Sequence, residues 1–519
     1  MSKRLRCVFA VVFLVLTGVQ PACADVRLPK IFGDGMVLQR EKPITVWGWA
    51  DPGESVTVSF AEQKTTTAAN GDGLWRIELP PRTTDDKSRE FVVRGKNTVT
   101  LKDVVVGDVW LCSGQSNMSI SAGHFFAVPE VKQDLAAARF PLIRHFGVQE
   151  HFADELQDDV TGEWLTCTPQ TASRFCAVGF YFARKVYVET GVPIGLIRSA
   201  KGSTTIELWL SQATLLNTPS LEPYAEKMRE SLAQWEREKT AAVKEGKHPD
   251  SPDYPPFPFG ERVRRPRCVT LHNGMIAPLA GLAIRGMLWY QGEGNAGDVA
   301  TSQRYLVAMQ ALIVERRRLF RDEKLPFYFV QLPAYQQPTD DPAGGDAWSF
   351  LRESQRRCLA VPHTGMAVTL DIGDADDIHP TNKTEVGERL ALWALKHEYG
   401  KTDVVPSGPL FRELAIEGNL ARVRFDGIGD GLMIGKKLGR SPAVEDSGVP
   451  LRRFAIAGAD RQWHSAEARI DGDTIIVHSP AVSQPVAVRY AFSANPTGAN
   501  LYNSHGLPAS PFRTDDWKP

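Results

Sequence analysis

Residues 108–118 read Asp108-Val109-Trp110-Leu111-Cys112-Ser113-Gly114-Gln115-Ser116-Asn117-Met118. The apolar first half of this stretch predicts a buried strand, and the glycine and serines after it predict a loop at the carboxyl end of that strand. Similar apolar runs at 193–197, 284–290 and 327–331 alternate with helical patterns at 178–190, 302–320 and 383–398. Because strands that alternate with helices form parallel sheets covered on both faces, residues 104–404 predict an α/β/α domain.

Both flanks of this domain show the pattern of β structure. In residues 25–103, alternating runs such as Ser55-Val56-Thr57-Val58-Ser59-Phe60 are separated by turn residues such as Asp51-Pro52-Gly53, which predicts a small antiparallel sandwich. The β pattern returns in residues 405–519. An insertion at 221–267, which has a charged helix at 224–245 and a proline-rich loop at 252–258, interrupts the central domain. The predicted fold class is therefore α/β, with β domains at the N-terminus and the C-terminus.

The composition is typical of a folded globular protein. The chain has 519 residues, of which 43% are apolar and 23% are charged, and this length predicts two or three domains. The formal net charge is -1. A nucleic-acid or anionic-membrane partner needs a concentrated basic surface, so neither kind of partner is expected.

The first residues have the features of an export signal. The basic start contains Lys3, Arg4 and Arg6. The apolar run spans residues 8–19, and the small-x-small cleavage site contains Ala22 and Ala24. Residues 1–24 are therefore predicted to be a signal peptide, and the mature chain is expected in the periplasm or outside the cell. The apolar run is shorter than the roughly 20 residues that a membrane span needs, so no stable membrane insertion is expected.

The cysteines give little support for a framework of disulfides. Of the seven, Cys7 and Cys23 lie in the leader, and the remaining five contain no Cys-x-x-Cys pair. Cys167 and Cys176 are the nearest pair and could form one disulfide in an oxidising compartment. A zinc site is not predicted.

Polar residues follow four of the predicted strands. Ser116 follows the first, Gly202 follows the strand at 193–197, residues 291–295 follow the next, and residues 371–379 follow a predicted strand at 368–370. Ligands of open parallel sheets bind at these carboxyl ends. A hydroxyl nucleophile, an imidazole held by a carboxylate, and donors around an oxyanion are the groups that acyl transfer requires. Each of these residues taken alone is more often structural, but their occurrence at four strand ends favours a hydrolase.

Three blocks of the sequence resemble the signature of the sialate O-acetylesterase family, which belongs to the SGNH-type hydrolases. They are Gly114-Gln115-Ser116-Asn117-Met118, Trp289-Tyr290-Gln291-Gly292-Glu293-x-Asn295-Ala296 and Asp377-Ile378-His379-Pro380-x-Asn382-Lys383. Similar segments at 28–39, 273–279 and 501–503 extend the resemblance over nearly the whole chain after the leader. The resemblance implies an SGNH-like hydrolase domain with flanking β domains, which acts on acetyl esters of sugars without a metal or other cofactor.

The resemblance also assigns the residues of the reaction. It implies that Ser116 is the nucleophile and His379 the general base. The backbone amides of Ser116 and Gly202 would form the oxyanion hole, together with the side-chain amide of Asn295 or of Gln291.

The acid partner of His379 is one of three aspartates. The Asp-x-x-His spacing of related esterases favours Asp376, whereas the aspartate at the position of Asp377 is the more recurrent feature of this family. Asp374 is also available. The aspartates that do not orient His379 could cap the helix that begins near Asn382.

Glu293 and Trp209 are candidates for binding the substrate. Glu293 could touch sugar hydroxyls or position its own block, and Trp209 could line the sugar surface. The acidic segment 371–377 lacks the spacing and the terminal glutamate of an EF-hand loop, so no metal site is expected there.

The predicted function is that of an exported serine esterase, whose partner is an acetylated glycan. Sialate O-acetylesterase is the preferred interpretation, and an acetylesterase of xylan or another polysaccharide is the alternative substrate class. A non-catalytic glycan-binding protein on a hydrolase scaffold is the alternative of a different class. The joint presence of Ser116, His379, several acids and amide donors argues against it, because a binding protein would tolerate the loss of any of them.

Overall fold

The structure is a computed structural model that describes residues 25–248, 251, 254–255 and 268–518. The predicted signal peptide and most of the predicted proline-rich loop lie outside the described residues. Within these ranges, no helix is long and apolar enough to cross a membrane.

The N-terminal part of the chain forms seven strands: β1 (Val37–Gln39), β2 (Ile44–Trp49), β3 (Ser55–Phe60), β4 (Gln63–Ala68), β5 (Leu74–Leu79), β6 (Asp85–Arg94) and β7 (Thr98–Gly114). β2 pairs with β5 in one antiparallel layer, and β3 pairs with β4 and β6 in another. In β3 the alternate residues Val56, Val58 and Phe60 are buried, as the period-two pattern predicted.

β7 joins these N-terminal layers to the central sheet. Its first half pairs with β6, and its second half, from Asp108 to Gly114, pairs with a strand of the central sheet. The strand bends at Asp103, whose φ is +57° and whose carboxylate lies 2.7 Å from Arg144. The predicted domain boundary at 103/104 falls at this bend, inside one continuous strand, and the boundary itself stays a prediction.

Six more strands lie between residues 140 and 367: β8 (Phe140–Gly147), β9 (Trp164–Cys167), β10 (Ile194–Ala200), β11 (Gly286–Tyr290), β12 (Phe327–Val330) and β13 (Thr364–Ala367). With β7 they form a sheet of order β13-β12-β11-β7-β10-β8-β9. The pairings are parallel except at the edge, where β9 is antiparallel. The prediction of a largely parallel sheet is confirmed.

One predicted strand of this sheet was wrong. Residues 368–370 do not continue β13, which ends at Ala367, and Leu370–Ile372 forms a 3-10 turn instead. The ψ angle of Thr369 is 20°, which lies outside the range of a strand. The hydroxyl of Thr369 donates to the carbonyl oxygen of Gln331 at 2.6 Å.

The described residues form eight α-helices: α1 (Ser116–Ser119), α2 (Pro129–Ala136), α3 (Ala177–Thr190), α4 (Gln212–Asn217), α5 (Glu222–Lys244), α6 (Val299–Leu319), α7 (Ala347–Arg357) and α8 (Lys383–Glu398). Trp110 of β7 packs against Phe182 of α3, with ring centroids 4.9 Å apart. Gly286 lies opposite Trp110 in the pairing of β7 with β11, so Trp289 points to the other face of the sheet. There Trp289 donates to the hydroxyl of Tyr305 in α6 at 3.2 Å. Helices therefore cover both faces, as predicted.

The C-terminal part forms eleven strands within the described residues: β14 (Leu410–Glu417), β15 (Leu420–Asp426), β16 (Leu432–Lys436), β17 (Val444–Glu445), β18 (Phe454–Ala457), β19 (Trp463–Ser465), β20 (Glu467–Asp471), β21 (Thr474–His478), β22 (Ala487–Tyr490), β23 (Leu501–Asn503) and β24 (Phe512–Arg513). They form antiparallel sheets of order β14-β15-β21-β20, β19-β18-β22-β24 and β17-β16-β23. The predicted C-terminal β structure is confirmed.

Arg352 of α7 connects these sheets to the α/β domain. Its buried guanidinium donates to the carbonyl oxygens of Leu332 and Pro333 at 2.8 and 2.7 Å. It also donates to those of Ser493 and Ala494, beyond β22, at 2.8 and 2.5 Å. Burial lowers the pKa of Arg352 to about 9, so the group stays charged at neutral pH.

Cys167 and Cys176 are both buried thiols, so the suggested Cys167–Cys176 disulfide is not formed. Cys167 lies at the end of β9. Cys176 instead precedes α3, where its sulfur accepts from the Gly179 amide at 3.3 Å and donates to the Met118 carbonyl at 3.0 Å.

We predict that Arg352→Ala lowers the free energy of unfolding by at least about 3 kcal/mol, because four buried carbonyls lose a charged donor. Urea unfolding followed by tryptophan fluorescence measures this change. The matched control is Arg412→Ala, since Arg412 is exposed and lies 3.7 Å from an exposed Asp426. That change is expected to cost less than about 1 kcal/mol. Equal losses in the two variants would contradict the role of Arg352.

Candidate active site

The carboxyl ends of β10, β7 and β11 lie side by side. Gly114 at the end of β7 is opposite Ala200 of β10 on one side and Tyr290 of β11 on the other. Ser116, Gly202 and Gln291 follow these three strand ends within two residues. They therefore meet at one edge of the sheet, as the sequence predicted.

Gly114 makes the sharp exit from β7 into α1. Its φ is +137°, and a Cβ atom at this position would lie 2.1 Å from the carbonyl oxygen of Tyr290. The amide of Gln115 donates to that same oxygen at 2.9 Å. Because no side chain fits between the two strands here, the exit that presents Ser116 requires glycine.

Ser116 faces the imidazole of His379. The Oγ atom of Ser116 lies 2.9 Å from Nε2 of His379, across 263 residues of sequence. Ser116 is half-buried, and a third of the His379 side chain is exposed (33%). The neighbouring Ser113 is fully buried, and its hydroxyl has no partner among the described residues. Of the two serines, Ser116 is the one beside a base.

The carboxylate nearest the other ring nitrogen is that of Asp377. Its Oδ1 lies 3.5 Å from Nδ1 of His379 and accepts the backbone amide of His379 at 2.8 Å. The side chain of Asp376, which the Asp-x-x-His spacing favoured, instead accepts from Gln337 at 2.9 Å. Asp374 accepts the amides of Asp376 and Asp377 at 2.9 and 3.3 Å. The preference for Asp376 is therefore corrected, since the turn closed by Asp374 directs Asp377 towards the imidazole.

The helix after this loop has a different cap from the one suggested. The side chain of Asn382 accepts from the Glu385 amide at 3.2 Å and donates to the Glu385 carboxylate at 2.9 Å. None of the three aspartates takes this place in the described structure, because Asn382 is the residue that immediately precedes α8.

The surroundings keep the His379 imidazole neutral. Burial lowers its pKa below the ordinary value, and the positive charge of Lys383 lowers the pKa further, while the negative charge of Asp377 raises it. A neutral imidazole can accept the proton of the Ser116 hydroxyl as that oxygen attacks a carbonyl carbon.

The backbones of Ser116 and Gly202, whose amides were predicted to form the oxyanion hole, lie side by side. Ser116 begins α1, so its amide belongs to the free N-terminal turn of that helix. A Cβ atom on Gly202 would lie 3.4 Å from Cβ of Ser116, which places the Gly202 backbone beside the nucleophile. Within the described residues, neither amide donates to a backbone carbonyl.

The two predicted side-chain donors are engaged elsewhere. The amide of Asn295 donates to the Glu207 carboxylate at 3.1 and 3.3 Å. The amide of Gln291 donates to Gln115 at 3.1 Å, to the Thr204 carbonyl at 3.2 Å and to Asn295 at 2.8 Å. Both residues are buried, and their bonds hold the loops below the site together. This corrects their predicted place in the oxyanion hole.

The two predicted substrate-binding residues are also placed differently. Trp209 is fully buried, and its indole nitrogen donates to the Thr204 hydroxyl at 3.1 Å. One oxygen of Glu293 accepts from the Asn117 amide at 2.6 Å, and the other is a buried atom without a partner in the described structure. Trp209 therefore faces inward, whereas Glu293 is half-buried and its carboxylate is turned towards Asn117.

Two residues without a predicted role join the site loops. Asn117 contacts both Glu293 and the Ile378 carbonyl, the latter at 3.0 Å, and Lys383 contacts Asn117 at 2.6 Å. Both residues stand inside the quoted sequence blocks, so the signal was present. Only the folded structure shows that their side chains meet.

No group of three or more histidine, cysteine, aspartate or glutamate side chains in the described ranges could hold a metal ion. Of the acidic segment 371–377, Asp371 binds Arg389 at 2.6 and 2.9 Å. The other aspartates of the segment bind backbone amides, Gln337 or His379, as described above.

Comparison with known proteins identifies the chain's relatives. The family model described as "Carbohydrate esterase, sialic acid-specific acetylesterase" matches residues 106–243 and 261–396. The crystal structure of a carbohydrate acetylesterase from Xanthomonas citri is 37% identical, covers 95% of this chain and 100% of its own, and superposes with a TM-score of 0.79.

Mammalian sialate O-acetylesterases are similar over three quarters or more of the chain. The mouse protein is 29% identical, with 97% of each chain covered, and the human protein is 27% identical, with 76% of each chain covered. The family match spans more than half of the chain and includes the Ser116 and His379 loops. This chain is therefore a carboxylic ester hydrolase that belongs to the sialic acid-specific acetylesterase family of carbohydrate esterases.

Proposed function

We propose that the protein removes O-acetyl groups from sialic acids carried on glycans. The observation that carries this proposal is the 2.9 Å contact between Ser116 Oγ and His379 Nε2 at the carboxyl edge of the sheet. The mouse, rat and human relatives named sialate O-acetylesterase support the choice of sugar. The basic and apolar leader pattern supports export to the periplasm or beyond as part of the proposal.

The reaction has two halves that use the same groups. Ser116 Oγ attacks the acetyl carbonyl carbon while His379 Nε2 takes its proton, and the Ser116 and Gly202 amides stabilise the oxyanion that forms. The imidazolium then protonates the departing sugar oxygen, which leaves an acetyl-enzyme on Ser116. Water attacks that ester with His379 again acting as base, and acetate is released.

Asp377 stabilises the imidazolium that forms during each half. Its oxygen is 3.5 Å from Nδ1, which is longer than a good hydrogen bond, and more than half of its side chain is exposed (58%). Water screens such a charge, so its contribution is smaller than that of the buried aspartate of a serine protease.

We predict that Ser116→Ala lowers kcat for p-nitrophenyl acetate by at least about 10³-fold, because the acyl acceptor is lost. The matched control is Ser113→Ala, which removes a buried hydroxyl three residues away and is expected to keep kcat within about three-fold of the unmodified protein. Circular dichroism verifies that both variants fold. If Ser113→Ala were inactive and Ser116→Ala active, Ser113 would be the nucleophile instead. If the unmodified protein showed no turnover, the glycan-binding alternative would be favoured.

We predict that Asp377→Asn lowers kcat by about 10- to 100-fold. The change also removes a charge that raises the pKa of His379, so the acidic limb of kcat/KM moves to lower pH. Rates measured from pH 4 to 9 test both effects. Asp376→Asn is the control, and it should leave this limb in place. A larger loss in Asp376→Asn would restore the assignment that the sequence spacing favoured.

We predict that kcat/KM for acetate release is at least about ten-fold higher with O-acetylated sialosides than with acetylated xylan. The reason is that acetate is the same in both substrates, so specificity must come from the protein surface that contacts the sugar. An enzyme-coupled acetate assay on both substrates at equal acetyl concentration measures the ratio. Faster release from xylan would move the proposal to the polysaccharide class while leaving the esterase assignment intact.

A further inference from the structure

A buried ammonium lies beneath the candidate active site. Lys383 is the first residue of α8, and only 1% of it is exposed. Its Nζ donates to Oδ1 of Asn117 and to the carbonyl oxygen of Pro380, each at 2.6 Å. The ammonium also lies 5.4 Å from the ring centroid of Phe125 and 5.8 Å from that of Tyr290.

The two oxygen atoms bound by Lys383 belong to residues adjacent to the reacting pair. Asn117 directly follows Ser116, and Pro380 directly follows His379. One nitrogen atom therefore binds the side chain that follows Ser116 and the backbone that follows His379, on the two sides of the 2.9 Å contact between Oγ and Nε2.

Asn117 completes the connection between the loops. Its Nδ2 donates to Oε1 of Glu293 at 2.6 Å and to the carbonyl of Ile378, the residue before His379, at 3.0 Å. The amide thus separates a buried carboxylate from a buried ammonium and binds both. Buried groups of opposite charge tolerate burial only when they are bonded in this way.

Helix stability does not explain a lysine at this position. A cation at the first turn of a helix meets the positive end of the helix dipole, where acidic residues are favoured. A buried ammonium is also costly to desolvate. Both costs oppose Lys383, so its contacts with the site loops are the remaining physical reason for it.

We propose that Lys383 is a positioning residue of the esterase reaction: its ammonium joins the loops that follow Ser116 and His379 and so fixes the separation of the two reacting atoms. This inference rests on the proposed function and names a further residue for the same reaction.

The charges around the two groups agree in sign with this role. Burial lowers the pKa of Lys383 to about 7, against the opposing charges of Glu293 and Asp377. Lys383 is therefore charged in the acidic range where His379 titrates. Burial lowers the pKa of His379, Lys383 and His124 lower it further, and Asp377 raises it. Removing the Lys383 charge must raise the pKa of His379, so the acidic limb of kcat/KM must move to higher pH.

The test compares four variants of the full chain with p-nitrophenyl acetate. Lys383→Met removes the charge, Lys383→Arg keeps it, and Asn117→Ala cuts one contact while leaving the ammonium. The matched control is Lys437→Met, because Lys437 contacts Glu385 in the same first turn of α8 and also contacts the Ser441 carbonyl. For each variant kcat, KM, the pH profile and the melting temperature are measured.

Lys383→Met is expected to lower kcat by about 10- to 100-fold with KM within about three-fold, because the reacting atoms are misplaced. The acidic limb of its kcat/KM profile should move to higher pH by about half a pH unit or more. Lys383→Arg should leave the limb where it is in the unmodified protein. Asn117→Ala should lower kcat by at least about ten-fold without moving the limb. Lys437→Met should keep both kcat and the limb, whatever its melting temperature.

The inference would be overturned if Lys383→Met folds and its kcat and acidic limb are the same as those of Lys437→Met. If Lys383→Met does not fold, Asn117→Ala decides, and a kcat within two-fold of the unmodified protein overturns the positioning role. The failure of the proposed function looks different, because the unmodified protein would then show no turnover that depends on Ser116.

Discussion

The close approach of β7 and β11 at Gly114 is the constraint on which the site depends. The Tyr290 carbonyl accepts the Gln115 amide at 2.9 Å, in a space where a Cβ atom would lie 2.1 Å from the same oxygen. This backbone contact ends β7 and starts α1 within two residues, so the serine hydroxyl projects from the sheet edge at a fixed angle. A parallel sheet buried on both faces is rigid enough to hold that exit, because its strands and helices share one packed core.

The site consists of a partly exposed layer of reacting groups and a buried layer of polar side chains that are hydrogen-bonded to one another. Ser116, His379 and Asp377 are all partly exposed, as groups that meet a substrate must be. Beneath them Asn117, Gln291 and Asn295 are buried, and their amides bond side chains and carbonyls of neighbouring loops. Such amides cannot also turn towards an oxyanion without leaving buried partners unpaired, which costs about 1–3 kcal/mol for each group. Their arrangement stabilises the loops that carry the reacting atoms.

The C-terminal sheets contribute to the same loops from the far side. Asn495 donates to the Gln336 carbonyl at 2.7 Å, and the Gln336 amide in turn donates to the Ala375 carbonyl at 3.1 Å. Arg352 bonds both the Pro333 and the Ala494 carbonyls. The acidic loop before His379 is therefore held between the α/β domain and the C-terminal β structure. This explains why a β domain without reacting groups belongs to the folded unit of the esterase.

The sequence by itself determined the fold class and the strand ends that form the site, because these follow from local hydrophobic periodicity. The pairing of Ser116 with His379 was predicted from the resemblance of contiguous motifs to a known family. The tertiary structure decided which aspartate faces His379, since the spacing favoured Asp376 whereas the turn closed by Asp374 directs Asp377 to Nδ1. It likewise placed Asn295 and Trp209 in the interior and turned the Glu293 carboxylate towards Asn117. Side-chain direction at these positions depends on partners far away in sequence, such as Asn117 for Glu293 across 176 residues, and no local pattern encodes such a contact.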